Sequence, residues 1–309
     1  MKLHIEGTEY HVKTFEENNR FFEIVSESKA EILYYIYGLN LSLRKMNYWL
    51  SCSKVIVFHW IGTDVLRLLN QCGLSFRTRV SIRIKRFFLK HRKNFLHLVC
   101  APWLREELSE IGIFSHYLPI TTLSKSVVNE IDDSRERDID FLSYVPQSRF
   151  NFYGGDKIVE IAKSNPNRKF VIIVPDAESQ SSIALSGIPN NVMLLSRMSF
   201  DAVQELMMKT KVFLRLTKHD GLSLSVLEAM NNACQVLWTY QFPFVIQAKS
   251  NTLSEDVSSV VEKWIPNIQG RNYVRENFQA EVVYENLQKT IRDFYVKRNK
   301  REYAFDDKK

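Results

Sequence analysis

Residues 215–240 read RLTKHDGLSLSVLEAMNNACQVLWTY and follow directly on the apolar run VFL at 212–214. Apolar run, polar loop with an Asp-Gly step, helical pattern and second apolar run make one strand–loop–helix–strand unit. The predicted helix, Ser223 to Cys234, carries one charged residue, Glu228, in a chain that is 25% charged. On a helical wheel Ser225, Glu228, Asn231 and Asn232 share an arc, opposite Leu227, Met230 and Ala233. A solvated arc in so charged a chain would carry several Lys or Glu. Neutral amides, hydroxyls and one carboxylate suit a ligand better.

The start of this helix has the chemistry of an anion site. The first amides of a helix are unpaired and its dipole is positive there, which suits a phosphate. Gly221 permits a tight turn and a close approach to the main chain. Glu228 lies five residues beyond Ser223, about 7.5 Å along the axis, with its side chain leaning back toward the start. Its two acceptor oxygens match the vicinal hydroxyls of a ribose. Asp220, ahead of the turn, could do the same for a sugar beyond the phosphate.

Working outward, IDFLSYVP, KFVIIVPD, NVMLLSRM and KVFLRLT read as strands. GDKIVEIAKSNP and SFDAVQELMMKT, the latter with Ser199 placed to cap it, read as helices between them. Such alternation predicts an α/β fold with a parallel sheet covered on both faces. Ligands bind beyond the carboxyl ends of its strands, where TKHDG falls. Toward the N-terminus EILYYIYG, KVIVFHWIG and NFLHLVC read as strands, with helices over SLRKMNYWLSC, DVLRLLN and PWLREELSEIG. The charged segment at 121–138 reads as the linker.

The stretch KHDGLSLSVLEAMNNACQVLWTY resembles the group 1 nucleotide-sugar glycosyltransferases of the GT-B fold. It carries their acidic-x7-acidic signature as Asp220 and Glu228, followed by Ala-Met and an apolar strand. The segments at 191–214 and 271–291 are similar to the family's strand-loop-helix before the motif and to its C-terminal segment. The resemblance implies two Rossmann-like domains with parallel sheets facing across a cleft, the N-terminal one reduced. Residues 1–125 would take the acceptor side and 126–280 the nucleotide-sugar. A helix at about 281–300 would pack back on the first domain, and 301–309 would form a charged tail. It implies a retaining enzyme that moves a sugar from a nucleotide-sugar to an acceptor hydroxyl, in polysaccharide, cell-envelope glycan or glycolipid synthesis. Asp220, Gly221, Leu222 and Ser223 would hold the donor sugar and phosphates, and Glu228 the ribose. Arg149 and Arg215 are the candidates for the diphosphate, with Thr217 beside them. His59, in VIVFHW, and Asp220 would stand nearest the reacting sugar. Where the family carries a second cation after the first strand of this domain, this chain has Tyr153, and its glycine-rich turn after the first strand is reduced to Gly7. These two departures motivate the alternative, an accessory subunit that binds a sugar nucleotide without turnover. No metal site and no cofactor other than the donor substrate is expected.

Bulk properties bound the rest. The 309 residues are 45% hydrophobic, and the four cysteines lie far apart without C-x-x-C spacing, which suits a reducing, cytoplasmic compartment. The N-terminus lacks the apolar run of a secretory signal. The net charge of +7 is uneven: no acidic residue falls between Asp64 and Glu106, and residues 77–93 alone carry eight Lys or Arg. Within 77–97, Val80, Ile84, Phe87 and Phe88 follow helical spacing. Two readings stand: a peripheral, in-plane helix at an anionic membrane where lipid-linked acceptors reside, or a helix covering the sheet with a basic outer face. No nucleic-acid-binding module accompanies the charge.

Overall fold

The computed structural model describes residues 1–36, 48, 54–70, 75–123, 136–249 and 253–306, without the side chains of 254–256 and 299–306. Contacts divide the chain into residues 1–122 with 280–309, and residues 123–279. The helix expected over 42–52, apart from Tyr48, and positions 124–135 of the expected linker lie outside the described residues.

In chain order the first unit holds β1 (Lys2–Glu6), α1 (Glu9–Asn18), β2 (Glu23–Ile24), β3 (Ile32–Ile36), β4 (Val55–Trp60), α2 (Thr63–Leu69), α3 (Phe76–His91), β5 (Phe95–Val99), α4 (Pro102–Glu110) and β6 (His116–Tyr117). The second unit begins with β7 (Ile139–Tyr144), α5 (Gly155–Ser164), β8 (Phe170–Ile173), β9 (Val192–Leu195), α6 (Phe200–Met208) and β10 (Thr210–Arg215). It continues through α7 (Leu224–Asn231), β11 (Gln235–Trp238), β12 (Ile246–Gln247), α8 (Leu253–Glu262) and α9 (Ile268–Asn277). The chain then returns to the first unit as α10 (Ala280–Asp306), which takes in six residues of the expected tail.

Each unit is built on a six-stranded parallel sheet, ordered β2-β1-β3-β4-β5-β6 in the first and β12-β11-β10-β7-β8-β9 in the second. β3 (ILYYI), β4 (VIVFHW) and β5 (FLHLV) are buried at every position, as central parallel strands covered on both faces must be. In the first unit α10 completes the core. Tyr284, Leu287 and Ile291 are fully buried, and the Gln288 side chain accepts from the Arg20 amide and donates to the Asn18 carbonyl. At the turn after β1, a Cβ on Gly7 would lie 2.8 Å from Ile36 Cβ, so this single glycine permits the close approach of the β1–α1 turn to the end of β3.

Two buried histidines mark the first unit. His59 Nε2 lies 2.8 Å from the Leu118 carbonyl, which only accepts, so Nε2 carries the proton and Nδ1 accepts from the Tyr34 hydroxyl at 2.9 Å. By the same logic His97 Nε2 donates to the Leu89 carbonyl, and its Nδ1 accepts from the Trp60 indole. Burial lowers His59 to about 3 and His97 to about 4, from an ordinary 6.5. In the unfolded chain both rings protonate as pH falls below about 6.5, while the folded rings stay neutral. The stability they allow above pH 6.5 is therefore lost on acidification, by about 3 kcal/mol for His97 and about 5 kcal/mol for His59. Denaturant titrations at pH 7 and pH 4 are expected to show about 3 kcal/mol of this loss from each ring, the rest of the His59 share falling below pH 4. His97→Gln, which keeps polar atoms but does not titrate, should shrink it by about 3 kcal/mol. An acid limb unchanged in that variant would contradict the linkage.

Candidate functional site

In residues 123–279 the winding reverses beside β7. The chain runs from β7 to β8 and β9 on one side, then crosses to β10 on the other. The crevice beyond the carboxyl ends of two such strands is where a parallel sheet takes ligands. A cavity of about 440 Å³ opens there. Tyr144 and Pro146 line it from the end of β7, Arg215 from the end of β10, and Ser223, Leu224, Ser225 and Glu228 from the start of α7. Tyr153 contributes a ring, and Met198, Phe200 and Val203 an apolar wall.

The helix with one charge is explained by its position. Val226, Leu227, Glu228, Ala229, Met230 and Asn231 of α7 are all buried, so the helix runs through the interior and has no solvated face to charge. The expected polar arc divides in two. Ser225 and Glu228 line the cavity. Asn231 accepts from Arg275 Nε at 2.8 Å, and the Asn232 amide donates to Gln204 at 2.7 Å, both internal structural bonds. The helix ends at Asn231 rather than Cys234, with Ala233 in the left-handed region at φ 54°. Arg137, expected in the linker, is buried. It donates to the Asn232 and Thr210 carbonyls at 2.8 and 2.6 Å, a cation set at the negative end of α7.

Glu228 is the outstanding group of the cavity. Its residue is only 7% exposed, and among the described residues no hydrogen bond or ion pair reaches its carboxylate. Burial raises this carboxyl from an ordinary 4.5 to about 7. Burial, and then the charge of Glu228, also raise the Tyr144 hydroxyl. An acceptor pair held in a cavity wall is completed by donors from outside, such as neighbouring hydroxyls.

Arg215 does not stand free. Its Nε donates to Asp220 Oδ2 at 2.7 Å, its Nη1 to the Tyr144 carbonyl at 3.4 Å, and its guanidinium lies 4.8 Å from the centre of the Tyr153 ring. The two charged side chains are 9% and 15% exposed. A charged residue ending a buried strand thus has a carboxylate to balance it. The Asp220 amide in turn donates to the Tyr240 hydroxyl at 3.3 Å.

The remaining expected residues divide clearly. Ser223 lines the cavity, its hydroxyl 3.0 Å from that of Ser225, while Gly221 and Leu222 are buried in the turn before it. Thr217 is only 1% exposed. Its single hydroxyl proton is shared between the His219 carbonyl at 2.9 Å and the Phe152 carbonyl at 3.3 Å, so it ties the β7–α5 loop to the end of β10 instead of meeting the cavity. The Lys218 amide adds a bond to the same Phe152 carbonyl. Gly154 sits in that loop at φ +78°, where a Cβ would lie 2.3 Å from the Leu216 carbonyl oxygen. These contacts bring Tyr153 over Arg215. Arg149 is exposed, with its guanidinium 4.1 Å from the centre of the Phe152 ring, and is not among the residues lining the cavity. His59 belongs to the other unit, fully buried with both nitrogens bonded, which leaves neither for a sugar. Asp64, in the first turn of α2, is buried and accepts from the amides of Ile61, Gly62 and Val65. Tyr144, Met198 and Phe200 were not named as site residues from the sequence: Tyr144 is the last residue of β7, and Met198 and Phe200 carried only the signal of their segment, 191–214. Among the described residues no group of three His, Cys, Asp or Glu side chains could hold a metal ion, and no helix is long and apolar enough to cross a membrane.

No family model and no curated protein matches the sequence. Solved structures do. Sucrose-phosphate synthase from Thermosynechococcus elongatus superposes with a TM-score of 0.68 at 13% identity, over 87% of this chain and 75% of that one. Anabaena HepE, solved with UDP and glucose, matches at 0.58 and 9% identity, over 94% and 99% of the two chains. The fold they share is that of the GT-B glycosyltransferases. This chain has the GT-B fold. A third GT-B structure, the pneumococcal O-GlcNAc transferase GtfA with UDP and GlcNAc, matches at 0.55 and 11% identity, over 92% of this chain and 59% of that one.

Proposed function

We propose that this GT-B chain binds a nucleotide-sugar in the cavity of residues 123–279 and transfers the sugar to an acceptor hydroxyl. The observation that carries the reading is Glu228, a buried carboxylate that no described residue hydrogen-bonds or pairs with, one helical turn inside the start of α7 at the reversal of winding. Its two oxygens accept from the ribose hydroxyls. The amides of Leu224 and Ser225, left without helical partners at the first turn, point to the diphosphate. Arg215 adds charge where the leaving diphosphate develops it, oriented by Asp220 and the Tyr153 ring. Met198, Phe200 and Val203 give the base an apolar wall. In this reading Asp220 acts by holding Arg215, while Arg149, Thr217 and His59 are left out of the reacting centre. Retention of configuration follows the family that residues 215–240 resemble.

Two of the three structures named above were solved with UDP, so UDP-sugars are the first donors to try. The test is calorimetry with UDP and UDP-sugars, then release of UDP in the presence of sugar or lipid-linked acceptors, with the anomeric configuration of the product read by NMR. No binding of any nucleotide-sugar would reject the proposal. The non-catalytic alternative has one observation on its side: the Asp220 carboxylate already offsets the Arg215 charge. Donor binding without UDP release, across the acceptor panel, would favour it.

A further inference from the structure

The helix α3 has two distinct apolar faces. Its inner face is built in: Ile82 and Leu89 are buried, and the Arg86 guanidinium donates to the Leu68 and Leu69 carbonyls. On the other side Phe76, Val80, Ile84 and Phe87, at i, i+4, i+8 and i+11, fall on one stripe of a 3.6-residue helix. They are 75%, 37%, 39% and 59% exposed. Exposed Arg77, Arg79, Arg83 and Lys90 flank the stripe, and among the described residues no carboxylate pairs with them. A further aromatic lies at the C-terminal end of the helix. A Cβ on Gly112 would lie 2.7 Å from Lys90 Cε, and Phe114, two residues on, is 89% exposed.

We infer that α3 lies in the plane of an anionic lipid surface, with Phe76, Val80, Ile84 and Phe87 entering the headgroup–acyl boundary and the flanking Arg and Lys meeting the headgroups. An apolar stripe bordered by cations is the pattern of an interfacial helix, and the charge complementarity is to an anionic bilayer. A second copy of this face would bring the same cations together, which opposes self-association. A nucleic acid would use the cations but leave the aliphatic Val80 and Ile84 idle, since its backbone offers them only phosphate and sugar. The inference is independent of the donor site in residues 123–279.

The test is co-sedimentation of the full chain with vesicles of neutral phosphatidylcholine, and with vesicles in which roughly a third of the lipid is phosphatidylglycerol. Binding is expected only to the anionic vesicles. Phe76→Ser with Phe87→Ser, both at exposed positions, should weaken it at least tenfold with unchanged circular dichroism. Arg77→Glu with Arg83→Glu should abolish it while leaving the stripe intact. No binding of the wild-type chain to anionic vesicles would overturn the inference. So would binding that the charge reversal removes and the double serine variant does not, since that is generic polyanion attraction, as would a concentration-dependent dimer that the serine variant breaks.

Discussion

Glu228→Gln is expected to weaken nucleotide binding about a hundredfold and, at pH 8, to make the protein more stable. The affinity loss follows from trading two charge-assisted hydrogen bonds for one neutral acceptor and a misplaced donor, about 3 kcal/mol in all. The stability gain follows from linkage. Burial raises the folded carboxyl to about 7 from 4.5, so the unfolded chain gives up this proton first as pH rises. The side chain's contribution is whole below about pH 4.5 and is lost as pH climbs through 7, a decrement of about 3 kcal/mol that glutamine escapes. Denaturation at pH 8 should therefore favour the variant, and denaturation at pH 4.5 should make the two proteins equal. Wild-type affinity for UDP should also rise between pH 6 and pH 8, as the carboxylate form becomes available to accept. Equal affinity in the variant, or a variant less stable at pH 8, would remove Glu228 from the site.

Arg215→Met is expected to do the opposite to stability and as much to function. Removing one partner of a buried pair is costly, about 3–5 kcal/mol, because the Asp220 carboxylate loses its guanidinium where little water reaches it. Turnover should fall a hundredfold or more if Arg215 stabilises the departing diphosphate. Adding Asp220→Leu separates the two effects. The double variant should recover most of the stability and none of the turnover, in the manner of a double-mutant cycle. A double variant that transfers sugar at the wild-type rate would show the pair to be structural only.

Much of the second unit was legible because its signals are local. Each strand of 139–240 is a short apolar run between polar turns, and Ser199 caps α6 through the Ala202 amide as its spacing implied. Glu228 was legible for a different reason: one charge in an otherwise uncharged helix has to be accounted for. What escaped was tertiary. β2, β6 and β12 have two residues each, too few to make a pattern. Thr217 reads as a ligand hydroxyl until the Phe152 and His219 carbonyls are brought against it. Arg137 sits in the most polar tract of the chain, yet it is buried because the Asn232 carbonyl at the end of α7 and the Trp264 ring converge on it from positions about 95 and 127 residues away. The pairing of Tyr34 with His59 likewise depends on two strands whose register no local pattern states.

The return of α10 to the first unit has a consequence for biosynthesis. Residues 123–279 are continuous in the chain, whereas the first unit needs Tyr284, Leu287, Gln288 and Ile291 to close against residues it made at the outset. On the ribosome residues 123–279 can therefore mature while the first unit waits for α10 to emerge, against the usual N-terminal-first order. A nascent chain arrested at residue 279 should yield, once released and given protease, a resistant fragment from 123 onward and no resistant fragment from 1–122.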